Sequence, residues 1–238
     1  MWTVGERNEL GMFFLKIRRP PRSTLTHHTT LFRSAVTPRC RRIGPHDVTH
    51  LDPPEYDVLG IGFGPSNLAL AIALEETARE RGTPCKACFV ERQPCFTWHG
   101  GMLLPGSDMQ ISFLKDLVSL RDPTSPLTFV NYLHKQGRLE DFANCRTFYP
   151  SRVEFNDYLR WVAAKFDDRC FYGEEIVAVE PLRSGSTVEM LRVVSRDASG
   201  RESVRHARSI VVAVGGMPHV PPLFAPLREH SRVLHSSR

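Results

Sequence analysis

The amino-acid sequence predicts an α/β fold that is built on a parallel sheet and includes a β-rich hairpin segment. Residues 56–70, YDVLGIGFGPSNLAL, run from an apolar strand through a glycine turn into a helix. A second apolar strand over residues 87–90 follows that helix, and strands joined by a helix favour parallel pairing. The last third of the chain contains short alternating apolar segments around a turn, which is typical of hairpins.

The first strand is predicted over residues 56–61, and the helix after the turn is predicted to end near Gly82. Gly62 permits a sharp turn out of the strand, and Gly64 has no side chain, so a phosphate can approach the backbone. The first N–H groups of the helix then offer donors to phosphate oxygens. Asn67 stands where the dinucleotide fingerprint has its third glycine. An ordinary strand-to-helix turn is the alternative, but the order of strand, turn and helix favours a dinucleotide site.

An acidic residue follows the second predicted strand. Glu91 comes about 20 residues after the glycine turn, where a βαβ unit places a carboxylate that accepts hydrogen bonds from ribose hydroxyls. A solvated charge at the end of a strand is the alternative. The glycine turn upstream favours the ribose contact.

The middle of the chain combines an irregular segment with two predicted helices. Residues 96–126 show little periodicity, and a loop of that length is either functional or wrongly assigned. One helix is predicted over residues 126–136, before Gly137, and another over residues 152–166. The second helix has an apolar stripe that we expect to lie in the core rather than on a cofactor. The stripe consists of Phe155, Leu159, Val162, Ala163 and Phe166.

Four strands are predicted in the last third of the chain. They cover residues 175–179, 188–195, 202–207 and 209–214, and a hairpin turn over residues 197–200 joins the middle two. The last strand is apolar and ends at Gly215 and Gly216, where the backbone can again approach a cofactor. The sequence stops after a proline-rich connector, so we expect a truncated chain.

Six cysteines are spread without the spacing of a disulfide framework. Cys85 and Cys88 form a single CxxC without a second pair or histidines at metal spacing, so no metal site is expected. Cys88 is expected to pack in the core, and redox chemistry is the less favoured alternative. The cysteines therefore indicate a reducing compartment. No apolar run is long enough to cross a bilayer, so we expect no membrane partner and a cytoplasmic location.

The basic charge of the chain is concentrated at its N-terminus. The net charge is +5, but residues 1–50 alone hold nine Lys or Arg and three Asp or Glu, so the rest is nearly neutral. Residues 1–34 resemble the translation of a common sequencing-adapter oligonucleotide, which predicts an artefactual extension; a basic transit peptide is the alternative. Without this segment, the charge gives no reason to expect a nucleic-acid partner.

The sequence from about Glu55 to Arg238 resembles the N-hydroxylating flavin monooxygenases of hydroxamate siderophore biosynthesis, the L-ornithine N5- and L-lysine N6-monooxygenases. The phrases that carry the resemblance are GFGPSNLALA, ERQPCFTWH, GMLLPGSDMQISFLKDLVSLRDPTSPLTFVNYL and FYPSRVEFNDYLRWVA. The third phrase is long and unusual, and it is far more specific than the glycine turn. The resemblance implies a Rossmann-like FAD-binding domain, and it also implies that Asn67 is a usual variant of the third glycine.

The resemblance also implies which residues hold FAD. The glycine turn would cradle the pyrophosphate, Glu91 would hold the adenosine ribose, and the residues up to His99 would line the dinucleotide. Gln110 and Arg152 are implied near the flavin ring, and Ile176 is implied to meet the adenine through its backbone. The implied set is Gly62, Gly64, Pro65, Ser66, Asn67, Glu91, Arg92, Gln93, Pro94, Cys95, Phe96, Thr97, Trp98, His99, Gln110, Arg152 and Ile176.

The substrate contact implied by the resemblance is Lys115. An ammonium group suits the α-carboxylate of ornithine. The apolar neighbours Phe113, Leu114 and Leu117 predict that Lys115 is partly buried, where its charge needs a partner. A surface lysine is the alternative.

The implied activity is N-hydroxylation of the side-chain amine (N5) of L-ornithine with FAD, NADPH and O2, through a C4a-hydroperoxyflavin. No side chain stands out as a nucleophile or general base, so no catalytic residue is predicted. The resemblance implies a leader over residues 35–54 and an FAD-binding domain over residues 55–238. The family has a separate NADPH-binding domain, which we expect to be absent from these 238 residues, so that the chain is an inactive fragment.

Two alternatives stay open within this interpretation. L-Lysine N6-monooxygenase is the nearest, although the phrase YPSRVEF favours the ornithine enzymes. A non-catalytic flavin-binding fragment is the second. A homo-oligomer of the full-length enzyme is also compatible with the sequence.

Overall fold

The computed structural model of the chain describes residues 12–14, 52–216, 219–227 and 230. The extension predicted over residues 1–34 and the leader predicted over residues 35–54 therefore lie largely outside the described residues. The chain divides into two compact units. Among the described residues, the first unit contains residues 12–14, 52–96 and 163–214, and the second contains the remainder. We describe each unit by itself.

The first unit is a seven-stranded sheet with one long helix. The helix α1, Pro65–Arg81, begins after Gly64 with a proline in its first turn and ends at Gly82, which adopts the left-handed conformation typical of a C-cap. The strands are β1 (Met12–Phe14), β2 (Glu55–Ile61), β3 (Ala87–Glu91), β4 (Cys170–Tyr172), β5 (Glu174–Ser184), β6 (Thr187–Asp197) and β7 (Glu202–Val212).

The sheet combines a parallel part with an antiparallel part. Its strand order is β4-β3-β2-β7-β6-β5, and β1 pairs with β7. Parallel pairs join β2 to β3 and to β7, and β3 to β4, whereas β5, β6 and β7 form an antiparallel meander. The predicted fold class, a parallel sheet with a β-rich hairpin segment, is therefore confirmed.

The core of this sheet comes from the apolar faces of its central strands. Leu59 on β2, Val90 on β3 and Ile210 on β7 are almost fully buried in one cluster, and Cys88 belongs to the same cluster. Burial raises the pKa of the Cys88 thiol to about 12, so this group packs as a small apolar side chain, as predicted.

The second unit contains short helices and long connections. Its helices are α2 (Phe129–Lys135), α3 (Leu139–Asn144) and α4 (Arg152–Ala163). The last residue of α4 and the 3-10 turn that follows it, Ala164–Phe166, belong to the first unit. Two further 3-10 turns, Gly100–Met102 and Phe113–Lys115, lie in the segment predicted to be irregular. The apolar stripe predicted for the last helix is buried at all five positions, which confirms its core role.

The structure corrects several predicted elements. The strands predicted over residues 202–207 and 209–214 are one strand, β7, which continues through the exposed Arg208 and ends at Val212. The first predicted helix of this region begins at Phe129, not near Pro126, because the Thr128 side chain accepts a hydrogen bond from the Asn131 N–H and caps the helix there. The short elements β4 and α3 were not predicted, since three and six residues give too little periodicity.

Candidate cofactor site

The glycine turn after β2 is fixed between two neighbouring strands. The Gly62 N–H donates to the Val90 carbonyl at 2.8 Å, and the Ala213 N–H donates to the Ile61 carbonyl at 2.9 Å. Gly62 has a φ of 82°, and a Cβ there would lie 2.7 Å from the Ala213 oxygen. Both the positive φ and the close approach to the chain after β7 therefore require glycine at this position.

Gly64 differs from Gly62 because it faces open space. It is the N-cap of α1 with φ −78° and ψ −174°, and a Cβ there would meet no atom of the described chain within 4 Å. The first turn of α1 carries no acidic side chain, and because Pro65 has no N–H and the Leu68 N–H donates to the Gly64 carbonyl at 3.0 Å, the N–H groups of Ser66 and Asn67 remain for an outside acceptor. An anion can therefore approach the backbone at Gly64 and receive hydrogen bonds from the helix N-terminus.

Glu91, at the end of β3, lies directly against this turn. One carboxylate oxygen (Oε2) accepts a hydrogen bond from the Phe63 N–H at 2.7 Å, and the other (Oε1) accepts one from the Gln93 N–H at 2.8 Å. Each oxygen keeps a further lone pair. The structure thus brings Glu91 and the glycine turn together, in the arrangement predicted for a dinucleotide site.

Phe63 is a residue of the turn that the sequence interpretation missed. Its side chain is almost fully buried, and its ring contacts those of Phe89, Phe96 and Tyr172, with centroid distances of 4.7, 6.5 and 6.2 Å. These contacts anchor the turn to the strands that flank it. The sequence does contain a signal for this role, because Phe63 places a large aromatic side chain at a variable position of the fingerprint, between Gly62 and Gly64.

The segment after Glu91 runs along the surface before it enters the core. Arg92, Gln93 and Pro94 are exposed, Cys95 is half-buried and Phe96 is buried. The Gln93 carbonyl accepts a hydrogen bond from the Gly173 N–H at 2.9 Å, which ties this segment to the chain between β4 and β5.

Ile176, implied at the adenine, lies on β5 in the same unit. Its side chain packs against the core cluster of the sheet, so only its backbone remains for a ligand. The pairing of β5 with β6 shifts register between Ile176 and Ala178. Such an irregularity leaves backbone groups outside the regular ladder, as a backbone contact to adenine requires.

Thr97, Trp98, His99 and Arg152 lie in the second unit. The Trp98 N–H donates to Asn156 Oδ1 at 2.9 Å, and the Trp98 and His99 rings lie 5.0 Å apart. His99 has a φ of 50° and an exposed position, and its pKa is lowered by partial desolvation of the ring and, second, by the positive charge of Arg152. The charge of Arg152 therefore acts on the His99 ring.

Gln110 and Lys115 lie on the connection that precedes α2. Gln110 is exposed beside the buried Met109, and Lys115 ends the 3-10 turn Phe113–Lys115. The prediction that Lys115 is partly buried is wrong: its side chain is exposed. The neighbouring Phe113 ring stacks on Phe148 at 5.7 Å, whereas Leu114 is 44% exposed and does not cover the lysine.

These positions fit a diphosphate dinucleotide. The backbone is open at Gly64, a helix N-terminus points donors at the same place, and Glu91 offers acceptors beside it. Within the described residues, no group of three His, Cys, Asp or Glu side chains is placed to hold a metal ion. The described helices also include none that is both long and apolar enough to span a membrane.

Comparison with known proteins finds close similarity for this part of the chain. The family model for L-lysine 6-monooxygenase/L-ornithine 5-monooxygenase matches residues 54–238. The L-ornithine N(5)-monooxygenase of Pseudomonas aeruginosa is 55% identical over 183 residues, which are 77% of this chain and 41% of that protein. The chain thus spans less than half the length of this curated relative.

Solved structures agree with the sequence match. The ornithine hydroxylase from Pseudomonas aeruginosa superposes with a TM-score of 0.73 at 54% identity, over 77% of this chain and 44% of that one. A structure of Kutzneria sp. 744 ornithine N-hydroxylase, described with reduced FAD, NADP+ and L-ornithine, gives a TM-score of 0.65 at 41% identity. It covers 71% of this chain and 39% of that one.

Proposed function

The chain belongs to the L-lysine 6-monooxygenase/L-ornithine 5-monooxygenase family, and we propose that it forms the FAD-binding part of an L-ornithine N5-monooxygenase. The observation that carries this proposal is the open backbone at Gly64, which lies between the N-terminus of α1 and the carboxylate of Glu91. Similarity to the ornithine enzymes of Pseudomonas aeruginosa and Kutzneria supports both the cofactor and the substrate. In this proposal, the product enters hydroxamate siderophore biosynthesis.

FAD, when bound, would supply the oxidative chemistry, with NADPH as the reductant and O2 as the oxidant. The residues of this chain bind and orient it. Gly64 and the first turn of α1 hold the pyrophosphate, and Glu91 accepts hydrogen bonds from the ribose. Ile176 meets the adenine through its backbone.

We assign the contacts to the flavin ring to residues of the second unit, namely Trp98, His99, Gln110 and Arg152. Because its pKa is lowered, His99 is neutral at physiological pH and can either donate or accept a hydrogen bond there. Arg152 would supply a positive charge near the flavin ring.

Lys115 is the proposed contact for the α-carboxylate of L-ornithine. Its ammonium group is exposed, and among the described residues no carboxylate forms an ion pair with it. A charge that is free of intramolecular partners can bind a substrate carboxylate without first breaking an ion pair.

Expression of the chain tests the cofactor assignment. A protein that purifies with the visible absorbance of a flavin, or takes up added FAD with a single stoichiometric site, supports the proposal. A folded chain that binds no FAD contradicts it. FAD binding without any contribution to hydroxylation in the full-length enzyme would instead support the non-catalytic flavin-binding alternative.

The substrate contact is tested in the full-length enzyme of which this chain would be a part. Lys115→Ala is expected to raise the KM for L-ornithine at least about tenfold, since a charge-assisted contact is lost, and to leave NADPH oxidation intact. Lys135→Ala, which removes an exposed lysine from α2, is the matched control. An unchanged KM in Lys115→Ala would remove Lys115 from the substrate site.

L-Lysine is the second candidate substrate, because the matching family model names both the lysine and the ornithine enzymes. Comparison of kcat/KM for the two amino acids decides between them. A higher value for L-lysine would overturn the ornithine assignment and leave the FAD site unchanged.

A further inference from the structure

Asn67 makes an unusual set of contacts at the start of α1. Its side chain is fully buried. The carboxamide nitrogen Nδ2 donates to the Gly62 carbonyl at 2.6 Å and lies 3.4 Å from the carbonyls of both Ile61 and Val211. These three acceptors belong to the glycine turn, the end of β2 and the end of β7. One side chain therefore connects the turn to both strands that support it.

The orientation of this carboxamide follows from its surroundings. Exchanging its oxygen and nitrogen would place the oxygen 2.6 Å from the Gly62 carbonyl oxygen, and two acceptors repel each other at that distance. In the present orientation Oδ1 is buried, and within the described chain no donor reaches it. A buried acceptor without a donor is unfavourable, so the contacts of Nδ2 must compensate for it.

Gly60 provides the space that the carboxamide occupies. A Cβ on Gly60 would lie 2.8 Å from Asn67 Nδ2 and 2.3 Å from a ring carbon of Phe89. Glycine within a strand commonly marks such a close approach. Gly60 and Asn67 are therefore complementary, which is independent evidence that the contact is a built feature of the turn.

We propose that Asn67 is a positioning residue, which holds the phosphate-binding backbone around Gly64 in place before a cofactor binds. Its side chain is buried against carbonyl groups of the sheet, so it acts on the pyrophosphate through the turn and not by contact. A glycine at this position would allow the same close packing but would not tie the turn to β7. The role of Asn67 in holding the turn is argued from its own contacts, and the identification of the ligand as FAD rests on the proposed function.

The test compares three variants of the whole chain without cofactor. Asn67→Ala removes the donor, and Asn67→Ser keeps one hydroxyl that can donate to a single carbonyl. Asn131→Ala is the matched control, because the Asn131 amide also donates to a backbone carbonyl, that of Pro126, in the other unit. Hydrogen exchange is measured for residues 61–64 and 211–213, and the dissociation constant is then measured by titration with FAD.

In Asn67→Ala, the amides of residues 61–64 and 211–213 are expected to exchange roughly three- to tenfold faster, whereas those of β6 keep their wild-type rates. The dissociation constant for FAD, followed by flavin fluorescence, is expected to rise by a similar factor. Asn67→Ser should lie between wild type and Asn67→Ala in both measurements, and Asn131→Ala should match the wild type. If Asn67→Ala does not fold, Asn67→Ser provides the same comparison.

Several outcomes would overturn the inference. Unchanged exchange at the turn would show that the amide does not hold it, and uniformly faster exchange across the sheet would show a general packing role. A local change in exchange with unaltered FAD affinity would remove the positioning role. If the wild-type chain binds no FAD, the proposed function fails, and the exchange data alone still decide whether Asn67 holds the turn.

Discussion

Two glycines in the same turn differ in what an added methyl group would meet. At Gly64 the methyl group would point into open space with an ordinary φ of −78°, so Gly64→Ala should fold like the wild type. The same methyl group would occupy the space through which a pyrophosphate approaches the backbone. We therefore expect Gly64→Ala to weaken FAD binding at least about tenfold with little change in the free energy of unfolding.

Gly62→Ala provides the contrast within the same turn. Its methyl group would lie 2.7 Å from the Ala213 oxygen at a φ of 82°, so this variant should lose stability, by about 1–3 kcal/mol. Urea titration and FAD titration separate the two effects. A destabilised Gly64→Ala, or one with wild-type FAD affinity, would contradict the assignment of open space to the ligand.

His99 gives the second unit a predictable pH dependence. Partial desolvation of the ring at this exposed position, and then the Arg152 charge, lower its pKa below the ordinary value of 6.5, so the unfolded chain binds the proton more tightly than the folded one. The stabilising contribution is complete above pH 6.5 and is lost as the pH falls through the lowered pKa. We expect urea titration from about pH 7.5 to about pH 5 to show a decrease that is smaller in His99→Asn.

Asparagine suits this test because it tolerates the positive φ of 50° at position 99. His134→Asn, which removes a histidine from α2 of the same unit, is the comparison variant. An identical slope in His99→Asn and the wild type would show that His99 does not contribute to it.

The positions of single residues could be predicted where the local backbone conformation requires a particular residue type. Gly62 and Glu91 lie where the dinucleotide fingerprint places them, because the turn and the strand end are local features. The exposure of Lys115 could not be predicted from its apolar neighbours, because Phe113 turns into a ring cluster that includes the distant residue Phe148. Which side a neighbour faces in an irregular segment is decided by tertiary packing, and no periodicity records it.

At the scale of elements, the connection between Lys115 and α2 is held by two polar side chains. The Asp116 carboxylate accepts hydrogen bonds from the N–H groups of Val118, Ser119 and Phe129, at 3.0, 2.6 and 2.7 Å. The Tyr158 hydroxyl accepts from the Leu117 N–H at 3.3 Å and donates to the Leu127 carbonyl at 2.9 Å. An apparently structureless segment is thus fixed by specific contacts.

Tyr158→Phe tests this arrangement with a minimal change of shape. Tyr158 is fully buried, so loss of its hydroxyl leaves the Leu117 N–H and the Leu127 carbonyl without their partner, which should cost about 1–3 kcal/mol of unfolding free energy. Hydrogen exchange should accelerate over residues 113–128. Equal stability of Tyr158→Phe and the wild type would show that packing alone holds the connection.

The bounds of a helix or strand could be predicted where a residue near its end carries a clear local signal. Helix α1 ends at Gly82 as its sequence indicates, because the C-cap needs a left-handed residue. The sequence predicts two strands where the structure has the single strand β7. The first part of β7 pairs antiparallel with β6 and the last part pairs parallel with β2, while the backbone continues through Arg208. The pairing with β2 depends on a strand more than one hundred positions away in the sequence, and a local pattern does not contain it.

At the scale of the molecule, the mixed sheet and the family could both be predicted from sequence, whereas the separation into two units was not. The fingerprint, its order of strand and helix, and the long phrase between Gly101 and Leu133 were sufficient for the fold and the family. The implied site residues fall into both units, with the glycine turn and Glu91 in the first and Lys115 in the second. A ligand of the glycine turn is therefore expected to act first on the stability of the unit that contains it.

Thermal unfolding with FAD measures that effect. A ligand that binds only the folded state at one hundred times its Kd stabilises it by about 2.7 kcal/mol, and the Tm should then rise by roughly 5–10 °C. If the two units unfold in separate transitions, the one that contains the sheet should move. Riboflavin, which lacks the pyrophosphate and the adenosine, should produce a much smaller shift, because it cannot use the turn at Gly64 or the carboxylate of Glu91. Equal shifts with FAD and riboflavin would place the dominant contacts at the flavin ring and remove the glycine turn from its central role.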